Sequence, residues 1–357
     1  MGHVTGETSF DGSSIGFACL GGCLMAISVG LLLLLSGKLT GLSSIVEGVI
    51  RWDKKTVDWK LIHLSGMLFA FVIMNAIWSE GFEQKKGFNL SWASFCIGGF
   101  FVGMGTRLGN GCTSGHGICG CARLSPRSIT AVILFMSMGI CSATVAYLNQ
   151  WGMTNEQDDW DKKDDTAAHV VVTVSVILLA LVTGMYRGHY AFKVMASVFS
   201  CGALFGIGLV FSGMTIQARI MNFLIIDENR WDGTLMFVMG SAIPVTYLCF
   251  KYILEKHPSP IFASLEDQSE VCPIEDFEIP TNTQVDYELV LGSYLFGLGW
   301  GICGLCPGPG IALAAVGYPK AALGFLPFLS IGMYLAYYIK TFIKNDKKNA
   351  DIVGGII

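Results

Sequence analysis

Charge is what this chain of 357 residues has least of: only 14% are Asp, Glu, Lys or Arg, against ~25% in an ordinary soluble domain. So little charge cannot cover two soluble globules, which this length would otherwise allow. Positive charge is not in excess either. The formal net charge is −4 and no basic stripe occurs, which excludes nucleic acid as a partner. Disorder is excluded as well, because it needs few apolar residues and many charges. No GxxxxGK[ST] run occurs, so no nucleotide-driven step is expected. The N-terminus carries Glu7 and Asp11 but no basic stretch before its first apolar run. A cleavable signal peptide is therefore not expected, and the first span is read as its own insertion signal.

What is there is apolar. Hydrophobic residues make up 52% of the chain and the mean hydropathy is +0.56. A hydrocarbon core about 30 Å thick is crossed by roughly 20 apolar residues as helix. Nine stretches reach or approach that: 15–36, 61–79, 93–108, 127–148, 168–186, 193–212, 234–254, 288–304 and 320–341. The third and eighth are short and glycine-rich. Lys and Arg set the orientation. With the N-terminus outside, 16 of the 23 basic residues fall on the inner side, so the expectation is a multi-pass cell-membrane protein, N-terminus out and C-terminus in. The acidic 150–167 loop reads as a solvated outer loop. The polar, proline-bearing 255–287 loop reads as a linker, with docking of a cytosolic partner as its alternative.

Glycine is abundant at 44 residues, and 12 cysteines are present. Both share a register. Gly98, Gly103 and Gly105 lie 14, nine and seven residues before Cys112; Gly292, Gly297 and Gly299 lie at the same distances before Cys306. A weaker match aligns Gly30-LLLLL-Ser36-Gly37 with Gly206-IGLVF-Ser212-Gly213. The chain then divides into a tail (1–14), a first half (15–148), a connecting loop with an extra span (149–192), a second half (193–341) and a tail (342–357). An offset of five spans turns the second half over, giving an inverted-topology repeat. In such folds the substrate site lies near the midplane, at discontinuous helices in corresponding positions. The expected fold class is an all-α polytopic membrane protein of about nine transmembrane helices in two inverted repeats. Short or re-entrant helices are expected at its midplane. Packing alone would explain the glycines, but not the sequences that follow them.

Those sequences are Gly109-Asn-Gly-Cys112-Thr-Ser-Gly-His116-Gly-Ile-Cys119-Gly-Cys121 and Gly301-Ile-Cys303-Gly-Leu-Cys306-Pro-Gly-Pro-Gly310. Glycine lets a backbone turn and approach a ligand closely, and Pro307 suits the first position of a new helix. Free N–H groups at a helix start favour an anion, and a cysteine there adds a weak S–H donor. Weak, multiple donors suit passage better than strong charges, which would hold an anion too tightly. The candidate binding and translocation residues are Cys112, Cys306, Cys303, Thr113, Ser114 and His116, with Gly111, Gly115, Gly304 and Gly308 shaping the loops. No catalytic residue and no cofactor is expected.

Competing readings use the same thiols. Cys112, His116, Cys119 and Cys121 are soft metal ligands in principle, though the paired spacing of a zinc site is absent. Cys303 and Cys306 form a CxxC, but within an apolar span and without the βαβ pattern of a thiol–disulfide enzyme. Cys19, Cys96, Cys141, Cys201 and Cys249 read as small buried hydrophobes. His63, His169 and His189, at span edges, read as interfacial residues. Arg107 reads equally as a helix-end partner or an anion attractor at the inner mouth, and Arg123 and Arg127 as inner-side topology markers.

GNGCTSGHGICGCARLSPRS resembles the signature of the YeeE/YedE family, membrane proteins of the sulphur-transport domain, and GLGWGICGLCPGPG resembles the matching motif of its second half. GALFGIGLVFSGM and WDGTLMFVMGSAIP resemble intervening segments of a subgroup whose halves also occur as separate polypeptides; here they are fused. The resemblance implies uptake of thiosulfate or a related sulfur anion across the lipid bilayer, with cysteine S–H groups as transient donors. It carries over onto Cys112 and Cys306. A further cysteine early in the first half is implied, for which Cys19 and Cys23 are candidates by region alone. Its counterpart in the second half falls at Met214, which keeps a soft sulfur but has no donor. A soft-metal or metalloid transporter and a membrane sulfur-relay protein are the alternatives.

Overall fold

The computed structural model describes residues 12–82, 89–154, 192–264 and 276–354. In chain order its α-helices are α1 (Gly12–Ser36), α2 (Leu42–Ile50), α3 (Val57–Ile77), α4 (Trp92–Gly109) and α5 (Pro126–Leu148). Then come α6 (Phe192–Phe211), α7 (Gln217–Leu224), α8 (Thr234–Lys256), α9 (Tyr287–Cys303), α10 (Pro307–Ala315) and α11 (Leu326–Gly354). Two wider π-helical stretches, Thr113–Gly120 and Lys320–Phe325, stand before α5 and α11. Eight of the nine expected spans coincide with α1, α3, α4, α5, α6, α8, α9 and α11; the ninth, 168–186, lies outside the described residues. Seven described helical stretches are long and apolar enough to cross a membrane. α4, at 18 residues, is not among them, because glycines and polar residues dilute it. The protein is a polytopic helical membrane protein.

Helix pairing repeats between the halves. α1 packs on α8 as α3 packs on α6, and α4 packs on α11 as α9 packs on α5, while α1 meets α6 and α4 meets α9 in the middle. The register glycines make these crossings. A Cβ on Gly105 would stand 2.6 Å from the Gly292 carbonyl oxygen, and one on Gly299 would stand 2.6 Å from that of Gly98. Gly103 and Gly297 do the same against Leu329 of α11 and Phe135 of α5. Backbones this close accept no side chain, which is how small residues bring helices together in membranes. The glycines in register are thus crossing points first, and they fix where each following cysteine emerges.

The loops sort into two groups. Residues of 37–60, 109–128 and 276–286 meet one another. Ser14, Glu80, Gly81, Gly213 and Arg219 meet around a separate cavity, and Ser91 bonds to Gly152. These groups are the ones that the Lys and Arg count assigns to opposite faces. Outward faces of α1, α5, α8 and α11 carry exposed apolar residues, among them Leu20, Ile133, Leu248 and Ile331, as lipid contact requires.

Two expectations are corrected: Cys141, read as a buried hydrophobe, is exposed on the outward side of α5, and His63 is placed differently. His63 is not interfacial: it is fully buried, because Gly202 of α6 lies against its backbone and α3 and α6 close around it. His169 and His189 lie outside the described residues. The eleven described cysteines are free thiols; Cys201 is buried, Cys141 is exposed, and Cys19, Cys96 and Cys249 are half-buried.

Candidate functional site

Two helix ends set up the site in the same way. α4 ends at Asn110 (φ 58, ψ 38) and α9 at Gly304 (φ 66, ψ 17), both in the left-handed conformation that stops a helix. Two residues later the chain is extended, at Cys112 (φ −132) and Cys306 (φ −108), and each cysteine sits at the N-cap of a new helical segment. The Cys112 carbonyl accepts from His116 N–H at 2.8 Å and the Cys306 carbonyl from Gly310 N–H at 3.0 Å. Neither segment has a side-chain cap, so first-turn N–H groups are left for another acceptor.

The two loops touch. Thr113 Oγ1 donates to Cys306 Sγ at 3.6 Å. Cys112 Sγ and Ser114 Oγ are 3.2 Å apart, and Ser114 Oγ also accepts from Leu42 N–H at 3.2 Å. Cys112 is 1% exposed and Cys306 3%, so this junction is dry. Beyond Cys112 the structure opens into a cavity of about 350 Å³, bordered by the start of α2, Lys60, Gly111, His116, Cys119 and Arg123 among others.

His116 borders that cavity with both ring nitrogens engaged. Nε2 is 3.1 Å from the Gly109 carbonyl and Nδ1 is 3.0 Å from Ser128 Oγ. A carbonyl only accepts, so the proton is on Nε2 and Nδ1 accepts from the serine. A Cβ on Gly111 would come 2.6 Å from the ring, so the glycine is what lets His116 fold back there. Gly115 faces open space. Cys119 donates to the Thr40 carbonyl at 3.5 Å. Cys303 is fully buried at the α4 crossing, its thiol 3.2 Å from the Gly299 carbonyl. Gly304 lies against Met221 and Gln217, and Gly308 under Leu42 and Leu209. Met214 is buried just after the left-handed Gly213. Cys23 is half-buried in α1, whose main partners are α6 and α8 rather than the cysteine loops. Among the described residues, no three of His, Cys, Asp and Glu stand together as metal ligands.

Sequence reasoning missed a strap. Residues 276–286, without helix or strand, run along the cavity instead of leaving as a free linker. Lys38 pairs with Glu278, Glu278 N–H donates to the Gly37 carbonyl at 2.8 Å, and Arg123 Nη1 donates to the Pro280 carbonyl at 2.9 Å. Arg127 donates to the Gln284 carbonyl and pairs with Asp286 at 2.8 Å. Asp286 Oδ1 also caps α9 through Leu289 N–H at 2.8 Å. Burial raises the Asp286 pKa, while the hydrogen bonds from Arg127 and Leu289 lower it; the hydrogen bonds prevail, and it lies below its ordinary value. The only hint in the sequence was the cluster of Lys38, Arg123 and Arg127, read as topology markers.

Residues 10–141 match the family described as sulphur transport. Residues 192–348 match a family of unknown function, DUF6691. A probable transporter of Xylella fastidiosa strain Temecula1 is 34% identical over 136 residues, 38% of this chain and 83% of that protein. The chain belongs to the YeeE/YedE sulphur-transport family. A second probable transporter, from X. fastidiosa strain 9a5c, is 35% identical over 130 residues, 36% of this chain and 92% of its own length. Each relative is thus covered over most of its length by little more than a third of this chain. As a family member with its apolar helices, the protein is a multi-pass membrane transporter.

Proposed function

We propose that the protein takes up thiosulfate or a related sulfur-containing dianion, handed from Cys306 to Cys112 by S–H donation. The observation that carries this reading is the Thr113–Cys306 contact, which joins two uncapped helix starts at buried thiols. A dianion loses water at such a junction, and helix N-termini offset part of that cost. Thiols hold it weakly enough to release it. The repeated helix pairing supports an inverted repeat with the junction near the midplane. With the more basic loop group taken as the inner one, the N-terminus is outside and the ion passes from Cys306 toward the cavity on the inner side.

The test is uptake of labelled thiosulfate by cells expressing wild type, Cys112→Ala or Cys306→Ala. Losing a hydrogen bond to a charged group costs about 1.5–3 kcal/mol, so uptake is expected to fall by more than ~10-fold. Unchanged uptake in both variants at normal protein level would sink the reading.

A further inference from the structure

The cavity beyond Cys112 is bordered by two basic residues, Lys60 and Arg123, that have no ion pair among the described residues. Three carboxylates act on Lys60 from its surroundings, those of Asp53, Glu47 and Glu278. Glu47 is paired with Arg51 and Arg107, and Glu278 with Lys38; Asp53 is bonded only by the Thr56 hydroxyl and the Lys55 N–H, so its charge offsets part of that of Lys60 from a distance. Lys60 itself is 8% exposed. Its ammonium makes no hydrogen bond or ion pair among the described residues; it lies 5.8 Å from the Trp59 ring and reaches across Gly48 of α2, where a Cβ would overlap Nζ, and Lys60 is one of the residues that border the cavity. Arg123 spends its donors on the Cys119 and Pro280 carbonyls, which leave its charge uncancelled. Arg127 is paired with Asp286.

The start of α2 completes the arrangement. Its N-cap is Gly41, with no side-chain cap, and the N–H groups of Ser43 and Ser44 have no partner among the described residues. Both serines border the same cavity as Lys60 and Arg123. A buried ammonium without a counterion is costly, and a helix start with open N–H groups is a ready anion site. Two positive charges without an ion-pair partner, facing one cavity, suit an anion.

We infer that this cavity is a second anion station, which takes a tetrahedral oxyanion dianion between Lys60, Arg123 and the N-terminus of α2. At ~30 Å³ per water, about 350 Å³ admits such an ion together with several waters, in contrast to the dry Cys112–Cys306 junction. The inference deepens the proposed function and rests on it: here the transported dianion regains water after passing Cys112. Lys60 is the deciding residue, held in place by the missing side chain at Gly48.

The experiment measures binding of radiolabelled inorganic sulfate to the purified full-length protein in detergent. Sulfate has the charge and shape of the expected ion but no terminal sulfur to engage the thiols. Saturable binding displaced by thiosulfate is expected. It should weaken at least tenfold in Lys60→Met and several-fold in Gly48→Ala, which displaces the ammonium without removing it, and stay at wild-type affinity in Cys306→Ala. Where Lys60→Met does not elute as a single folded species, the affinity of Gly48→Ala decides. No saturable binding by wild type, wild-type affinity in both Lys60→Met and Gly48→Ala, or sulfate retained against excess thiosulfate would each overturn the station. Failure of the thiosulfate-uptake test with sulfate binding intact and Lys60-dependent would instead strike the thiol path and leave the anion site standing.

Discussion

The two cysteine loops have one backbone plan and are held by different means. The first is fastened by polar contacts: His116 between Gly109 and Ser128, and Ser114 between Cys112 and the start of α2. The second is fastened by shape. Pro307 and Pro309 preset the backbone, and Gly310, four residues after its cysteine as His116 is after Cys112, lies under Phe325. Every residue from 301 to 313 is buried. The first loop borders a cavity and its buried polar fasteners are matched to one another; the second is enclosed by apolar residues, where an unmatched polar group would be expensive. The same turn can thus serve beside a cavity and in an enclosed position if its fasteners change with its surroundings.

The comparison can be broken at its root. Gly105→Ala drives a Cβ into the Phe296 backbone nitrogen, and Gly299→Ala places one 2.6 Å from the Gly98 oxygen. Each is expected to destabilise the protein by about 1–3 kcal/mol or more, with Gly115→Ala, which meets nothing within 4 Å, as the tolerant control. Folded yield and thermal unfolding in detergent decide it. Equal losses at Gly105 and Gly299 would mean the crossings are energetic as well as geometric counterparts. A smaller effect separates the fasteners: His116→Ala removes two hydrogen bonds at about 1 kcal/mol each. It should lower the unfolding temperature and slow thiosulfate uptake, whereas Phe325→Leu at the second loop should lower stability with less change in uptake. Smaller still, Thr113→Val removes the hydroxyl between the loops and should cut uptake several-fold, with Thr113→Ser close to wild type.

The smallest expected effect lies at the strap. The folded-state pKa of Asp286 is below its ordinary value, so its stabilising contribution is present above the unfolded value, about 3.9. That contribution disappears as pH falls through the folded value. Wild type should therefore lose thermal stability between pH 6 and pH 3 more steeply than Asp286→Asn. The slope is modest because the side chain is 38% exposed and surface ion pairs contribute little. Coincident slopes would remove Asp286 from the strap's anchors.

Most of the spans and the pairing of Cys112 with Cys306 were legible in the sequence, because long apolar runs and a glycine register are local, one-dimensional signals. That the register glycines pack helices was legible, but not on which partners: their contacts are crossings with residues as distant as Leu329. α2 and α7, of nine and eight residues, are too short to stand out by hydropathy. Arg123 and Arg127 were legible as charge but not as purpose, since what faces them comes from residues 280–286. His63 was misread because burial between two helices depends on a glycine far along the chain, Gly202.

The strap also fixes a sequence of events. Lys38, Arg123 and Arg127 leave the ribosome long before Glu278, Gln284 and Asp286, and chains fold from the N-terminal side as they are made. Through the synthesis of some 150 further residues, the floor beneath the first cysteine loop stays unfastened. It is secured only when the start of α9 arrives, with the chain that brings the second cysteine close behind. The path and its floor are therefore finished together, late in translation, and a chain stalled before Asp286 would hold an unfinished first half rather than a working one.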